Sequence, residues 1–327
     1  MEIRLDGWYR CDIDGRRLVQ LVRRSDLCGL VQFTSWMGLT VGTGYLAWLA
    51  LGSVWMIPAF FLYGTIYAFC EAANHELIHG TVFRRRWLNE AALWITCFMT
   101  SSEPVFRRYH HFKHHRVTSI LGQDPEGAGN PALSSPPKLW VIASEMVCRI
   151  RHLRKHFTAM LHHSVGVISN FDRDCIQIPL TEYRKMKWNS RAILLLHAAI
   201  VAWSIALQTW LPIVFLFLPR LYGSWLHDIL ARTQHDGLGV NVKDHRLTTR
   251  TVILNPVLRY LYWNMNFHVE HHMYPSVSFF SLPKLHQAIK HQLPQPSIGV
   301  WGAWREILPT YLRQKREPDY HLTPRLP

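Results

Sequence analysis

The most restrictive feature of this sequence is a run of 44 residues, Leu27 to Cys70, that contains no charged side chain. As a single helix the run would be roughly 66 Å long, about twice the hydrocarbon thickness of a bilayer. It must therefore fold back once, and Gly52-Ser53 is the expected corner. The alternative, a buried hairpin of a soluble protein, is disfavoured because soluble helices rarely extend this far without a charge. The run predicts an integral membrane protein.

A second apolar block, 192–219, has the same character and continues past Arg220 to residue 226. We expect another hairpin that turns near Gln208 to Pro212, and one long tilted helix is the alternative. The shorter apolar stretch from Ala91 to Ser102 is too short to span and is expected to be re-entrant or interfacial. The predicted transmembrane segments are residues 30–51, 54–73, 192–209 and 211–229.

These segments predict an all-α integral membrane protein with about four transmembrane helices and a cytosolic helical cap. The membrane domain would occupy residues 27–292, between a cytosolic amino-terminal segment at 1–26 and a cytosolic tail at 293–327. The formal net charge is +14, and basic clusters flank one side of the predicted helices, whereas the hairpin tips carry no charge. The positive-inside tendency places the basic side in the cytoplasm. Basic residues that follow membrane edges also argue against nucleic-acid binding.

Ten of the 20 histidines fall in four places, and their spacing predicts a metal site. Residues three and four apart share one face of a helix, so each cluster presents its imidazoles together. So many imidazoles exceed what one ion uses, and they match two ions with open positions for an exogenous molecule. The clusters are His75-x-x-x-His79, His111-x-x-His114-His115 with His110 before it, His268-x-x-His271-His272, and the isolated His235.

Other histidines are expected to be hydrogen-bonded packing residues rather than ligands. His152 and His156 repeat the four-residue spacing, but the cationic side chains around them would repel a metal ion. The six cysteines show no C-x-x-C spacing, so neither a zinc ribbon nor a disulfide framework is predicted. The remaining histidines in the packing class are His162, His163, His197, His245, His286 and His291.

The sequence around the clusters resembles the membrane fatty acid desaturase and hydroxylase family, most closely its bacterial desaturase-like members. The first box reads Asn-His-Glu-Leu-Ile-His-Gly at 74–80, and the second reads Arg-Tyr-His-His-Phe-Lys-His-His-Arg at 108–116. The third reads His-Val-Glu-His-His at 268–272, after Trp-Asn-Met-Asn-Phe at 263–267. The resemblance extends over about residues 68–292, and three boxes in this order form a specific signal.

Carried over residue by residue, the resemblance implies nine iron ligands. His110 ranks below them, because the family's lead-in to the second box fits Arg108 and His111 better. Some desaturases carry an asparagine one turn before the isolated histidine, whereas this chain has Ala231, so water or carboxylate is expected at that position. The implied ligands are His75, His79, His111, His114, His115, His235, His268, His271 and His272. The acidic residues expected to orient them from outside are Glu76, Asp124, Asp236 and Glu270.

The family implies a di-iron centre under four membrane helices that activates O2 with electrons from a separate carrier. We expect a desaturase acting on a fatty acyl chain carried by lipid, coenzyme A or acyl-carrier protein. A hydroxylase of an alkyl, acyl or small natural-product substrate is the alternative, because both reactions begin by removing one hydrogen. The expected location is the bacterial inner membrane, with the active site facing the cytoplasm.

The electron donor is expected to be a separate protein, either a ferredoxin or a cytochrome with its reductase. The sequence contains no Gly-x-Gly-x-x-Gly loop and no cysteine set for an iron–sulfur cluster. An acidic carrier would be attracted by the basic cap. The long stretch 127–177, which includes Pro131, Pro136 and Pro137, is expected to belong to the cap or to form a loop. It would either contain residues that determine the substrate or serve only as a connection.

Two interpretations from other functional classes stay open at this point. The first box also matches the His-Glu-x-x-His pattern of zinc metalloproteases, in which Glu76 would be the general base. That interpretation leaves the second and third boxes unexplained. A histidine-rich metal transporter would carry its ligands within the membrane, whereas these two boxes fall in the polar cap. Metal analysis separates the classes, because a protease needs one zinc and the oxidase needs two irons.

Overall fold

The computed structural model describes residues 7–126 and 139–327, and within them the chain is mostly helical, as predicted. Residues 127–138, with Pro131, Pro136 and Pro137 of the long predicted loop, lie outside the described part. The helices before that gap are α1 (Gly15–Leu21), α2 (Asp26–Leu49), α3 (Met56–Ala68), α4 (Cys70–Ile78), α5 (Arg86–Thr100) and α6 (Pro104–Arg116). The helices after it are α7 (Leu139–Val147), α8 (Ile150–Val165), α9 (Asn170–Cys175), α10 (Leu180–Ala206), α11 (Pro219–Gly223), α12 (Trp225–His235), α13 (His245–Thr248), α14 (Pro256–Leu261), α15 (His268–Met273), α16 (Leu282–Ile289) and α17 (Gly299–Gln314). The strands are β1 (Val252–Ile253) and β2 (Ser297–Ile298), which pair in parallel.

The long charge-free run folds into the expected helical hairpin. The Ser25 hydroxyl caps the start of α2 by accepting a hydrogen bond from the Cys28 amide at 3.2 Å. The chain turns between α2 and α3 at Gly52, whose φ of 73° is favourable for glycine. The predicted corner at Gly52-Ser53 is therefore confirmed. The second arm continues beyond the predicted end at residue 73, because α4 follows α3 directly and carries the first histidine box.

The second apolar block differs from the predicted pair of spans. α10 begins at Leu180, well before the predicted start at residue 192, and the chain turns at Gln208, whose φ is 50°. The returning segment, predicted as one span over 211–229, is broken into a π-helical turn (Ile213–Phe217), α11 and α12. The returning segment is therefore helical but interrupted at Leu218 and Ser224, and its crossing of the membrane stays a prediction.

A proline explains the break in the returning segment, and a close contact with α3 holds the broken segment in place. Pro219 lacks the amide hydrogen that would continue the helix, so a new helix begins with it. Gly223 lies directly against the backbone of Gly64 in α3, where an added Cβ would overlap the Gly64 carbonyl group. The close approach of α11 and α3 therefore requires glycine and holds the broken segment in place.

Within residues 7–126 and 139–327, two helical stretches are long and apolar enough to cross a membrane, Met56–Ile78 and Leu180–Ala206. The first carries the first histidine box at its end, so the box lies where an apolar span meets polar structure. The stretch from Ala91 to Ser102 forms most of α5, and its Leu93 and Cys97 are fully buried. Its interfacial placement stays a prediction, as does the crossing by α2.

Arg220 in α11 is a buried cation that contacts Glu71, Thr100 and His152, the last with an N···N distance of 3.1 Å. Its Nη2 donates a hydrogen bond to the Glu71 carboxylate at the start of α4. Its Nη1 donates to the Thr100 carbonyl at the end of α5 with an N···O distance of 2.6 Å. The side chains of Arg220 and Glu71 are only 7% and 12% exposed, so each charge depends on the other. The pair joins the broken segment to the helix that carries the first box.

We expect Arg220→Met to lower the midpoint of thermal unfolding in detergent, with a cost of about 3–5 kcal/mol from the unpaired, buried Glu71. The double variant Arg220→Met/Glu71→Gln should recover part of the loss, since no charge is then stranded. Arg154→Met, at an exposed position, is the control and should leave the midpoint unchanged. A double variant no more stable than the single one would contradict the role of this pair.

Both ends of the described chain pack onto the domain between them. α1 contacts α16, and its Leu21 is buried beside Leu285. α17 packs on α12 and β1, and its apolar face places Ala303, Ile307 and Tyr311 in the main core. The residues predicted as a cytosolic tail at 293–327 therefore include a helix that is part of the folded domain.

Candidate metal centre

The second histidine box lies on α6, whose start is specified by its own sequence. The Glu103 carboxylate caps the helix by accepting hydrogen bonds from the amides of Val105 at 2.9 Å and Phe106 at 2.6 Å. Pro104 occupies the first turn, where its missing amide hydrogen costs nothing. The helix then runs through Arg116, so the histidines of the box project from one regular helix.

The third box lies on the short helix α15 and follows an irregular turn. Trp263 and Asn264 both adopt left-handed φ angles, 52° and 57°. Asparagine tolerates this conformation, and the Trp263 side chain is fully buried, which anchors the turn. The Asn266 side chain then donates to the Val252 carbonyl at 2.8 Å. The motif at 263–267 thus directs the chain into α15.

Five of the predicted ligands form one compact group, here called the five-histidine group. One ring nitrogen from each lies within 4.8 Å of those of all the others. The group draws on α4, α6 and α15, and includes His79 just after the end of α4. Its members are His75, His79, His111, His115 and His271.

The other four predicted ligands form a second cluster, here called the four-histidine group. Three of them, from α6, α12 and α15, have ring nitrogens within 4.8 Å of one another. The Nε2 of His268 lies 2.9 Å from Nε2 of His235 and 3.0 Å from Nε2 of His272, and so joins them. The members are His114, His235, His268 and His272.

The two groups are adjacent because neighbouring residues are divided between them. His114 and His115 follow each other in α6, yet they belong to different groups. His271 and His272 in α15 are divided in the same way. The imidazoles of His115 and His272, one from each group, stack with ring centroids 4.1 Å apart. The structure therefore brings all nine predicted ligands into one paired arrangement.

The nitrogen contacts within each group fit metal ligands better than hydrogen bonds. In the five-histidine group, Nε2 of His111 lies 3.0 Å from Nε2 of both His79 and His115. A ring nitrogen offers either one hydrogen or one lone pair, so both contacts cannot be ordinary hydrogen bonds. Nε2 of His75 and of His271 is buried without a hydrogen-bond partner among the described residues. Convergent lone pairs of this kind are satisfied together by a cation.

Three hydrogen bonds orient imidazoles of the four-histidine group. The Nδ1 of His114 lies 2.9 Å and 3.0 Å from the two Asp124 oxygens. The Nδ1 of His235 donates to the Thr248 carbonyl at 2.9 Å. The Thr118 hydroxyl donates its hydrogen to the His114 carbonyl, so it accepts from Nδ1 of His272 at 3.1 Å. Each bond places a hydrogen on Nδ1, so Nε2 is the ring nitrogen that can bind a metal once it is unprotonated.

Burial keeps most of these imidazoles neutral, which metal binding requires. Burial, with a contribution from neighbouring imidazoles, lowers the pKa of His111 and of His235 to about 3. Burial alone would lower the pKa of His114 as well, but the Asp124 and Glu126 carboxylates raise it to about 9. For the same reasons as at His111, the pKa lies well below its ordinary value at His79, His115, His268, His271 and His272.

His110 lies outside both groups. Its Nδ1 is 3.0 Å from Oε1 of Glu126, and the same oxygen is 3.4 Å from Nδ1 of His111. Glu126 therefore holds the ligand candidate His111 and its neighbour together. Glu126 was not among the residues predicted from the sequence, although it stands only two residues after Asp124. Its backbone amide donates a hydrogen bond to the Asp124 carboxylate at 2.8 Å.

Glu76 does not lie where a protease base has to lie. Its Oε1 is 3.4 Å from Nδ1 of His75 and 3.8 Å from Nδ1 of His271, at the ring edges opposite Nε2. A general base must reach the water on the metal. His75 and His79 are also grouped with three further histidines. The arrangement disfavours a mononuclear zinc protease and places Glu76 as a hydrogen-bond partner of the His75 ring.

The remaining two acidic residues contact other partners. Asp236 accepts hydrogen bonds from the Tyr311 hydroxyl and from Arg232, the latter at 3.1 Å. Glu270 accepts from Thr251 at 2.6 Å and interacts with Nδ1 of His286. Neither carboxylate has a hydrogen bond to a predicted ligand in the described residues, so the expectation that they orient ligand imidazoles is not met by the geometry. His286 has a carboxylate partner, as expected for a packing histidine.

Comparison with known proteins agrees with this centre. The profile of the family described as Fatty acid desaturase matches residues 53–304, which include all nine grouped histidines. No curated protein matches the chain. The two apolar helical stretches fit a membrane protein of this kind. Since the match covers most of the sequence, the chain belongs to the fatty acid desaturase family.

Proposed function

We propose that this protein is an O2-dependent di-iron membrane oxidoreductase that introduces a double bond into a fatty acyl or lipid-like chain. Its family supports the oxidoreductase class. The observation that carries the proposal is the convergence of nine histidines into two adjacent groups built from imidazole nitrogens. Iron is among the metals that imidazole suits, and two ions with open positions can bind an exogenous molecule.

When bound, the irons would supply the activation of O2 and the oxidising power to remove hydrogen from an unactivated C–H bond. The protein's own part is to hold and orient the ligands and to exclude water. Asp124, Thr118 and the Thr248 carbonyl keep three imidazoles in the orientation described above. His115 and His271 are fully buried, so bulk water does not reach their rings.

A surface cavity of about 660 Å³ beside the third box supports a substrate with an anionic carrier. Its lining includes the cationic side chains of Arg17, Arg259 and Lys284, together with Phe267 and His286. Lipids, coenzyme A and acyl-carrier protein all present phosphate groups near the acyl chain. Such groups form charge-assisted hydrogen bonds with arginine and lysine.

The location and the redox partner belong to the same proposal. The basic side of the predicted helices favours a centre that faces the cytoplasm, and the resemblance to bacterial desaturase-like proteins favours the bacterial inner membrane. Electrons would come from a separate ferredoxin, or from a cytochrome with its reductase. Membrane lipids would surround α2, whose Leu27, Val41 and Tyr45 are exposed apolar side chains.

Metal analysis of the detergent-purified protein is the first test. We expect about two iron ions per chain, because the two groups offer separate ligand sets. Removal of iron with a chelator should abolish product formation, and iron added back should restore it. One zinc ion per chain would contradict the proposal and revive the protease interpretation.

Product analysis separates the desaturase from its hydroxylase alternative. Purified protein with iron, O2 and a reduced ferredoxin would be given acyl-lipid, acyl-coenzyme A and acyl-carrier-protein substrates in parallel. We expect an alkene in at least one reaction, detected by mass spectrometry of the released acyl chain. An alcohol without alkene would establish the hydroxylase and overturn the preference for desaturation.

A further inference from the structure

The amino-terminal segment covers the side of the metal centre formed by α6 and α13. The Tyr9 amide donates to the Lys243 carbonyl at 3.0 Å, just before α13. The Trp8 indole donates through Nε1 to the Arg116 carbonyl, at the end of α6, with an N···O distance of 2.9 Å. Trp8 is only 7% exposed. The segment thus places one large aromatic ring between solvent and the helices that carry the histidines.

Behind Trp8, a line of aromatic rings reaches the four-histidine group. The Trp8 ring stacks on His245 with centroids 4.2 Å apart and an angle of 9° between the planes. His245 in turn lies 5.1 Å, centroid to centroid, from His272. His272 stands in the four-histidine group, with its Nε2 3.0 Å from that of His268. Two rings in contact therefore connect the protein surface to a candidate metal ligand.

His245 has no evident structural reason to be a histidine. Its side chain is fully buried, and neither ring nitrogen has a hydrogen-bond partner among the described residues. A buried polar ring without hydrogen bonds costs free energy that phenylalanine or leucine would avoid. The sequence assigned His245 to hydrogen-bonded packing, and the structure contradicts that assignment. What the ring does have is aromatic contact on both sides, with Trp8 and with His272.

We propose that Trp8 and His245 form the route by which electrons from a one-electron carrier reach His272 and the metal ion bound beside it. This inference rests on the proposed function, which requires an external reductant. Each docked carrier would be oxidised by one electron and the metal pair reduced by one, so two encounters supply both electrons. No bond forms or breaks along the route. Continuous ring contact favours transfer here because electron transfer weakens steeply with each gap between donor and acceptor.

The surface above Trp8 fits an acidic carrier. Tyr9, Arg10 and Lys243 are exposed there, and the Arg246 guanidinium lies 3.5 Å from the Tyr9 ring centroid. Two exposed cations, Arg10 and Lys243, form what is here called the entry patch. The Arg246 guanidinium beside them is paired with the Asp244 carboxylate, with an N···O distance of 2.7 Å. A cationic patch raises the rate at which an acidic partner docks and orients it over the site. We therefore infer that the carrier is an acidic one-electron protein, and a plant-type [2Fe–2S] ferredoxin is the acidic probe used in the test.

The test compares two ways of reducing the iron-loaded protein without O2. In the first, a reduced plant-type [2Fe–2S] ferredoxin is mixed with the protein, and its oxidation is followed by stopped-flow absorbance. In the second, dithionite with a small viologen mediator replaces the ferredoxin. The variants are Trp8→Leu and Trp8→Phe, with Trp304→Leu as the matched control. Trp304 also donates its indole N–H to a backbone carbonyl, that of Ile229, at 3.2 Å, but lies outside the ring line.

We expect Trp8→Leu to keep its iron and its rate with dithionite, and to slow reduction by ferredoxin by an order of magnitude. Trp8→Phe should recover most of the rate, because the phenyl ring keeps contact with His245, and Trp304→Leu should behave as wild type. His245→Leu should slow the ferredoxin reaction while His245→Phe restores it. Wild-type ferredoxin rates in Trp8→Leu would overturn the route. Equal slowing by both reductants would also overturn it, since Trp8 would then support only the centre's structure.

Failure of the proposed function gives a different result. In that case the wild-type protein would hold no reducible iron, and neither reductant would be oxidised by it. That outcome removes the electron route together with the function on which it rests. Loss of iron in His245→Leu and His245→Phe alike would make His245 a metal ligand and overturn its role in the route.

A charge test locates the docking surface independently of turnover. Arg10→Glu/Lys243→Glu should weaken binding of oxidised ferredoxin, measured by calorimetry, and slow reduction about tenfold at low salt. The difference should disappear at high ionic strength, where the attraction is screened. The control is Arg305→Glu, an exposed arginine on α17 that stacks over Trp301. If Arg305→Glu had the same effect as Arg10→Glu/Lys243→Glu, the effect would be one of general charge, and the entry patch would not be the docking surface.

Discussion

The His271→Ala variant is expected to hold about one iron ion per chain instead of two and to form no product. His271 is fully buried, and it is the ligand that α15 contributes to the five-histidine group. Alanine removes one of the five ring nitrogens that form the group. The iron content is measured by elemental analysis of the detergent-purified protein, and the product by mass spectrometry after incubation with ferredoxin and O2.

His291→Ala provides the matched control for this truncation. His291 is exposed and belongs to neither histidine group, so both irons and full activity should remain. His272→Ala should again leave about one ion, this time in the five-histidine group. Two irons retained in His271→Ala would show that the group does not bind metal in the arrangement seen here.

The Asp124→Asn variant is expected to weaken metal binding at the four-histidine group by about 10–100-fold. The carboxylate accepts from Nδ1 of His114 and also from the amides of Ser119 at 2.7 Å and Glu126 at 2.8 Å. The neutral amide loses the charge that orients the imidazole, and its NH2 group cannot accept from those amides. Competition with a graded chelator, followed by iron analysis, measures the loss.

Asp236→Asn makes the same chemical change at a position that the sequence alone treats as equivalent. The Asp236 carboxylate contacts Arg232 and Tyr311 rather than an imidazole. This variant should keep the wild-type iron affinity and lose only thermal stability. An equal loss of iron in both variants would mean that Asp124 acts through general stability and not through His114.

The sequence predicted those parts of the molecule that depend on local spacing. Three- and four-residue intervals place imidazoles on one helical face, so the three boxes could be recognised from their spacing. The choice of His111 over His110 needed the family resemblance. The isolated His235 has no such interval and needed the family resemblance. The corner at Gly52 could be predicted as well, since a charge-free run of that length must fold back. The boxes and the corner need only helix geometry and chain length.

Contacts between distant segments could not be predicted in this way. The position of the broken segment depends on Gly223 meeting Gly64, far away in the sequence. Asp236 and Glu270 stand beside ligand histidines in the chain, yet their carboxylates turn toward Tyr311 and His286. The role of His245 could not be predicted from residue spacing, because its partners Trp8 and His272 are brought next to it only by the fold.

Because adjacent histidines belong to different groups, the second box tolerates no change in the number of residues between its histidines. Consecutive residues of a helix point about 100° apart, so the winding of α6 sets the direction from one ion to the other. A residue inserted between His111 and His114 would rotate His114 and His115 away from their groups together. Lys113 can thus vary in identity with little effect on the metals, whereas the number of residues between His111 and His114 must stay at two. Phe112 is buried and its ring lies 5.8 Å, centroid to centroid, from His79, so its apolar character matters as well.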